Sequence, residues 1–527
     1  MPSPPRMPRA SSAGGEQSLW LRQLTSSEPL QIVPPARVGF WGITFSRDSA
    51  AILYATKGAG SSGGQLFHVP LLGGTPRLLL SDIDSTMSFS PDGRQFAFLR
   101  ENFPDRGASA LLIADATGSN PHPLATRRPP LFFAPGFFVA PSWSPDGARI
   151  SVGERNSDTR DAGLLTVDVS SGVERRFPMR FSDVSYTSWL PDGSGILMVA
   201  PAPDRISSVA GGQIWVQPYP EGPVRRLIND LVDYRNVTVS GDGRAIVTVG
   251  SDLAPTLWIA PADGHGDMRR VPSSRYDGVN GVGWLPDGRI IYTTRQGSLT
   301  QIAVMAVDGS NRQQLTTDGV NIWPQVSRDG KTVVFVASRE NERGIFRMNA
   351  DGSGKRLVAG VPDATYLDTS ADGQTVFFTS SRDGGSSTWR VPIEGGMPAL
   401  VAPFIDRAAV SPDGRFLAGI VHPSVMGTFA VVVIPVEGGK PVHTFSGPPF
   451  TAQGGVVQWT ADGQGLLYST AERLNIWLQP LSGGEPTRIT NLAEQTIFKG
   501  SRSPDGKSLL LARGQQTRDV FLLTNFK

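Results

Sequence analysis

One short pattern, clearest in Phe89-Ser-Pro-Asp-Gly-Arg-Gln-Phe-Ala-Phe98, occurs eleven times between residues 45 and 511. Aligned on Asp48, Asp92, Asp146, Asp192, Asp242, Asp287, Asp329, Asp372, Asp413, Asp462 and Asp505, the copies follow one another at intervals of 41 to 54 residues. Ten of these aspartates precede a glycine; Asp48 precedes Ser49. Proline stands ahead of Asp-Gly at Pro91, Pro145, Pro191, Pro286, Pro412 and Pro504. Its restricted φ suits the first corner of a tight turn, and the glycine accepts a positive φ at the next. Three residues before the aspartate lies Phe45, Phe89, Trp143, Trp189, Val239, Trp284, Val326, Val410 or Trp459, with exceptions at Thr369 and Arg502. These residues are expected to anchor an inner strand. After the turn, apolar residues alternate at period two, as in Phe96/Phe98, Ile150/Val152, Val333/Phe335 and Leu509/Leu511, which is strand spacing.

Short strands and a fixed turn at this period are the signature of a β-propeller blade of four antiparallel strands. Eleven repeats exceed the four to eight blades of an ordinary ring. The expected fold class is therefore all-β, with tandem β-propellers. The division is placed at residue 265, within a boundary zone near 250–280, giving a first propeller over 18–265 and a second over 266–527. Residues 1–17, rich in Pro, Ser and Arg, are expected to be disordered. Leu19–Leu24 and Leu30–Val33 read as the outer strands of a blade without inner strands. Strands at 509–512 and 519–523 read as the complementary remnant, so that the two ends complete a blade. Within the repeats, Gly-rich stretches such as Leu72-Gly-Gly-Thr-Pro76 and Glu394-Gly-Gly-Met-Pro398 are hairpin turns. The longest interval carries an insertion, Arg127-Arg-Pro-Pro-Leu-Phe-Phe-Ala-Pro-Gly-Phe-Phe138, which is either a packed plug or an exposed contact.

The 60 Gly and 43 Pro suit a turn-dense chain with almost no helix. Lys plus Arg at 49 against Asp plus Glu at 47 gives no global field for nucleic acid or an anionic membrane. With no cysteine there is no disulfide framework, thiol catalysis or thiolate metal site, and either redox compartment is compatible. No apolar run reaches a membrane-spanning length and the first residues lack a signal-peptide core, so a soluble chain without membrane insertion or export signal is expected.

The motifs that carry chemistry are weak or missing. Gly58-Ala-Gly-Ser-Ser-Gly63 matches a phosphate loop in letters, but a strand pattern follows where a dinucleotide loop needs a helix. The five histidines, His68, His122, His265, His422 and His443, have no close metal spacing, and no strand-to-helix nucleophile elbow is expected, since the letters G-x-S-x-G at Gly60–Gly64 are followed by a strand pattern. The eleven turn aspartates are taken as folding residues, one per blade, rather than ligands. No catalytic residue, metal or cofactor is expected.

With the repeats laid out, Trp143-Ser-Pro-Asp-Gly147, Met305-Ala-Val-Asp-Gly-Ser-Asn-Arg-Gln-Gln-Leu-Thr316 and Ile476-Trp-Leu-Gln-Pro-Leu-Ser-Gly-Gly484 resemble the WD-like propeller repeats of the TolB family over roughly residues 18–527. More narrowly, Ser18–Leu24, Gln31–Pro35 and Trp41–Ser46 resemble the start of the propeller region that follows the kinase domain and membrane span of certain bacterial receptor-type serine/threonine kinases. The kinase lobe itself is missing from this chain. The resemblance implies a sensor or interaction role and a periplasmic or extracytoplasmic setting. Two classes stay open: a binding module recruiting a protein partner or small extracytoplasmic ligand, which is favoured, and an enzyme, a lyase or hydrolase, with a site assembled across blades.

The loops entering each innermost strand open on the face opposite the Pro-Asp-Gly turns. Six to eleven residues before the turn aspartate they carry Tyr186, Tyr234, Tyr276, Trp323 and Tyr366, with Asp84, Asp183, Asp233, Asp277, Asp363 and Asp406. Either the rings pack between blades or they form a contact surface whose carboxylates favour a cationic or hydrogen-bond-donating partner. The surface is placed on the second propeller, through Tyr276, Asp277, Trp323, Asp363 and Tyr366.

Overall fold

The computed structural model describes residues 16–526 apart from 23–27, 37, 59–62, 106, 134–138, 157–160, 179–180, 182, 202–211, 229, 231, 298, 340–341, 382–385, 422–429, 447–456, 470–473, 493–494 and 525. Every regular element among the described residues is a strand. Two compact units divide the chain, one from the described residues of Met1–Pro203, Gly211–Ser251 and Arg518–Lys527, the other from those of Asp252–Thr517. Residue 265, the division expected from the repeats, lies just beyond the 17-residue strand Ala245–Pro261, which has residues in both units.

The second unit holds five four-stranded antiparallel sheets, whose innermost strands are Val282–Trp284, Val320–Val326, Thr365–Thr369, Ile405–Val410 and Val457–Trp459. Each blade is named here by its turn aspartate, Asp287 to Asp462. The sixth blade, that of Asp505, takes Thr496–Arg502 and the start of Ser508–Thr524 as inner strands and the end of Ala245–Pro261 with Arg269–Val271 as outer strands. Strands distant in sequence thus complete one sheet and leave no open ring edge. The blades pack face to face. Val334, Val336 and Ile345 of the Asp329 blade, for example, meet Val376, Phe378 and Val391 of the Asp372 blade in one buried cluster.

The first unit contains four sheets with innermost strands Val38–Phe45, Ser88–Phe89, Ser142–Trp143 and Thr187–Trp189, plus Thr238–Val239 paired to Ala245–Pro261. Its N-terminal strands behave differently from expectation. Gln17–Leu21 and Leu30–Ala36 pair only with each other, while the C-terminal residues form one strand, Ser508–Thr524, lying between Thr496–Arg502 and Ala245–Pro261. The reason is local. Gly514 passes so close to Ala254 that a Cβ would sit 2.0 Å from its carbonyl oxygen, so the glycine serves close strand approach rather than a chain-breaking turn. The N-terminal pair lays Leu19, Ile32 and Val33 over Ile52, Tyr54 and Val69. Ile43 and Phe45, cross-strand partners of Tyr54 and Ile52 on the same face, stay 50% and 49% exposed.

Three sequence features fall partly outside the described residues. Of the segment expected to be disordered, 1–15 lie outside, and Gln17 already begins a strand. Residues 59–62 of the glycine-rich loop also lie outside, and the strand Gly64–Pro70 follows it. In the insertion, Phe133 is fully buried with the Arg127 guanidinium 4.7 Å from its ring centre, which is the packed alternative for this part; 134–138 lie outside.

The Asp-Gly turns share one hydrogen-bond device. In nine repeats a Ser or Thr two residues before the aspartate donates its hydroxyl to the carboxylate at 2.5 to 2.6 Å. The same hydroxyl accepts a backbone N–H from the start of the second strand, as from Phe416 to Ser411 at 2.9 Å. A backbone N–H two residues after the aspartate completes the carboxylate's shell, as from Arg415 to Asp413 at 3.0 Å. Asp192 and Asp287 have leucine in the hydroxyl position and recruit the Ser194 hydroxyl and the Arg289 guanidinium instead.

In Asp413 the Ser411 hydroxyl, followed by the Arg415 backbone N–H, holds the carboxyl well below its ordinary value of 3.8. Asp48, Asp92, Asp146, Asp242, Asp329, Asp372, Asp462 and Asp505 are lowered for the same leading reason. A carboxyl lowered by folding stabilises the fold above its unfolded pKa, and that contribution is lost as pH falls through the folded one. Thermal melts from pH 6 to pH 2.5 should therefore show stability falling once pH drops below about 4. Ser411→Ala, which removes both bonds of a buried hydroxyl, should cost about 1 kcal/mol at neutral pH in urea titration.

Candidate binding channel of the second unit

The six innermost strands of the second unit surround a channel, and one position in the repeat decides what faces its mouth. Six residues before the turn aspartate stand Gly281, Trp323, Tyr366, Arg407, Val456 and Lys499, of which 456 lies outside the described residues. Strand register slips at this point in four blades, between Ile322 and Gln325, Thr365 and Asp368, Asp406 and Ala409, and Ile497 and Lys499. Such bulges re-aim a side chain at the cost of regular pairing. Trp323, Tyr366 and Arg407 adopt φ of +52°, +49° and +56°, a region where side chains of this size are strained by about 1 to 3 kcal/mol each. Three consecutive blades keep this strain at one position.

The result is a cluster lining a cavity of about 150 Å³. Trp323 and Tyr366 stack with ring centres 5.8 Å apart and planes 21° from parallel. The Arg407 guanidinium lies 4.8 Å from the Tyr366 ring centre, and the Lys499 ammonium 5.0 Å from Tyr366 and 5.8 Å from Trp323. Cations over aromatic faces fix the rings while keeping positive charge at the mouth.

Deeper in the channel, Gln325, Asp368, Ala409 and Gln458 line both this cavity and a second, of about 410 Å³, that reaches the Pro-Asp-Gly turns. Here side chains tie the strands into a closed girdle. Gln325 donates to Asp368 at 3.1 Å, and the other Asp368 oxygen accepts the Val410 N–H at 2.8 Å. The Trp459 indole N–H reaches the Ala409 carbonyl at 2.8 Å, and Gln458 both donates to the Gly500 carbonyl and accepts the Arg502 N–H, each at 3.0 Å. The Trp284 indole N–H meets the Ser501 carbonyl at 3.2 Å, and the Trp323 N–H donates to the Asn280 carbonyl at 2.8 Å, closing the circuit. Burial pushes the Asp368 carboxyl above its ordinary range against the N–H donors of Val410 and Thr369. Burial, then the like charge of Arg328, draws the Arg502 guanidinium below its ordinary value.

Of the five residues nominated from sequence, the structure brings Trp323 and Tyr366 together at this mouth. Tyr276 lies elsewhere, between the Arg275 and Arg295 guanidiniums at 5.4 and 4.8 Å, with its hydroxyl 3.1 Å from Asp252. Asp277 is fully buried, accepting the Ser274 N–H at 2.7 Å with Arg312 3.6 Å away. Asp363 accepts the Ser380 hydroxyl at 2.6 Å and the Ser381 N–H at 2.7 Å. Asp277 and Asp363 brace loops, and Asp406, another of the acids expected at this face, lies 3.8 Å from the Arg407 guanidinium, so the mouth pairs acid with base instead of presenting open carboxylates. Counting back to position minus six in every repeat would have found Arg407 and Lys499, which a search for aromatic and acidic residues passes over. In the first unit the corresponding tyrosines pack inside: Tyr234 is buried with its hydroxyl 2.6 Å from Asp230, and burial pushes the Tyr186 hydroxyl up to about 12.

Blades of four antiparallel strands around a channel define a β-propeller. No protein-family model matches the chain, and no curated protein does. Among solved structures it is similar to TolB from Acinetobacter baumannii, 19% identical with a TM-score of 0.31, over 58% of this chain and 62% of that one. It is also similar to the tricorn protease, at 16% identity and TM-score 0.32 over 94% of this chain and 51% of the other. A third is oligogalacturonate lyase from Vibrio parahaemolyticus, at 11% and 0.32 over 72% and 96%. The chain thus spans less than two thirds of the first two proteins. Likenesses at this level carry no argument, and the fold stands on the strand pairing.

The girdle has a measurable weight. Gln458→Ala leaves the Gly500 carbonyl and Arg502 N–H without their side-chain partner, so urea titration should show a loss of about 1 to 3 kcal/mol.

Proposed function

We propose that the chain is a non-catalytic binding module, the sensor or scaffold role implied by its resemblance to kinase-associated propellers, and that the channel mouth of the second unit engages its partner. The observation that supports this most is the strained trio Trp323, Tyr366 and Arg407, held in left-handed conformations around one opening. Strain repeated at one channel-lining position is not needed to close a blade, since the Asp287 blade manages with Gly281 there. Stacked aromatics offer large contact area with few torsions to freeze, and flanking cations set the charge of the partner. Binding is favoured over catalysis because Asp368, the acid lining both cavities, has its oxygens engaged by Gln325 and the N–H groups of Thr369 and Val410.

The test is Trp323→Ala with Tyr366→Ala, on protein shown by circular dichroism to keep its fold. Capture of the partner from extracts of the native organism should fall at least about tenfold, as for loss of a paired aromatic hot spot. Unchanged capture by the double variant, together with loss on altering the exposed outer edges of the blades, would overturn the assignment.

A further inference from the structure

The turn end of the same channel presents a different chemistry, independent of the aromatic mouth. Its cavity of about 410 Å³ is within the range of small-molecule sites. Two guanidiniums enter it. Arg328, next to the turn aspartate of the Asp329 blade, extends past the Asp372 blade to donate to the Ser411 carbonyl at 2.7 Å and to the Pro412 carbonyl. Arg502 donates to the carbonyls of Trp459 at 3.0 Å and Ser503 at 3.3 Å. Among the described residues neither guanidinium is in an ion pair; both rest on neutral carbonyls. Trp284 and Trp459 wall the cavity, and their indole N–H groups are committed to Ser501 and Ala409, so they contribute carbon surface that lowers the local dielectric. The acid in the lining, Asp368, has its oxygens turned to Gln325, Thr369 and Val410.

Two like charges in a half-enclosed cavity repel; Asp368 acts on Arg328, and Asp462 and Asp505 on Arg502, through space, while the groups in direct contact with the guanidiniums are neutral carbonyls. An acidic group presents a planar pair or triad of charged oxygens that a guanidinium fork fits with roughly double the strength of a neutral bond. Arg328 is exposed on a turn, so its carbonyl contacts can be exchanged without disturbing a strand. We infer that this end of the channel binds a compact organic dianion, a dicarboxylate or a phosphomonoester, clasped between Arg328 and Arg502, with Arg328 trading its carbonyl contacts for the ligand's acidic group.

The test is isothermal titration calorimetry of the full chain with malonate, glycerol 3-phosphate and, as the neutral control, glycerol. Saturable one-to-one binding of either dianion with none of glycerol is expected, and the dianion preferred identifies the acidic group. Arg328→Gln should weaken that binding at least about tenfold, the weight of a charged hydrogen bond. Arg289→Gln, which removes one positive charge from an exposed turn outside the cavity, should bind as the unaltered chain does. Should Arg328→Gln lower the melting temperature, Arg328→Lys replaces it, keeping the charge, losing the fork, and weakening binding by a smaller factor. Absence of saturable binding by both dianions, equal binding of glycerol, or equal losses in the Arg328 and Arg289 variants would overturn the inference. Because these titrations use small molecules and purified chain, their failure leaves the reading of the Trp323–Tyr366 mouth standing, and failure of partner capture leaves this site standing.

Discussion

The second unit depends on hydrogen bonds that run around the channel rather than along a sheet. Within a blade, backbone ladders are self-sufficient, but neighbouring innermost strands splay apart and do not pair with one another. Their junctions are bridged by side chains: Gln325 to Asp368, Asp368 to Val410, Trp459 to Ala409, Gln458 to Gly500 and Arg502, Trp284 to Ser501. Apart from the Gln325–Asp368 contact, which joins two side chains, each bridge engages a backbone N–H or carbonyl of the neighbouring blade. Removing one member exposes its partner to desolvation without compensation, which is why polar residues persist where a core would otherwise be apolar.

The first unit solves the same problem with shorter groups. Four residues before the turn aspartate it carries Thr44, Ser88, Ser142, Ser188 and Thr238, all hydroxyls, where the second unit carries Gly283, Gln325, Asp368, Ala409, Gln458 and Ser501. Ser88 accepts the Trp143 N–H at 3.0 Å and Ser142 the Trp189 N–H at 3.3 Å. In the first unit Ser88 and Ser142 bridge to the next innermost strand, with the Trp189 indole N–H adding a bond to the Ser142 carbonyl; in the second unit amides, indoles and a carboxylate reach across. The longer side chains also bring formal charge to the channel, so a difference that begins as reach ends as a difference in chemistry.

The repeat made blade, turn and all-β class legible because each rests on local chemistry: proline and glycine set the turn, the hydroxyl two residues ahead locks the aspartate, and alternation sets the strand. Nine of the turn aspartates accept the hydroxyl two residues ahead, a bond that the recurring Ser or Thr at that position makes visible in the sequence. Closure was less legible. The strand Ser508–Thr524 looks like two strands in sequence because Gly514 interrupts its apolar pattern, and only the close passage of Ala254 explains the glycine. At the channel mouth, aromatic content pointed to Trp323 and Tyr366, but nothing in the composition of Asp277 or Asp363 distinguishes a loop-bracing carboxylate from an open one. That distinction lies in which N–H and O–H groups the fold turns toward them.

The strand Ser508–Thr524 also sets the order in which the molecule becomes complete. Its first residues finish the Asp505 blade, beside a strand that left the ribosome some 250 residues earlier, and its last residues belong to the first unit. During vectorial synthesis the early blades can form as they emerge, yet each unit waits for this late segment, so both ripen together. High contact order of this kind slows the final step and leaves blade faces uncovered in the interim.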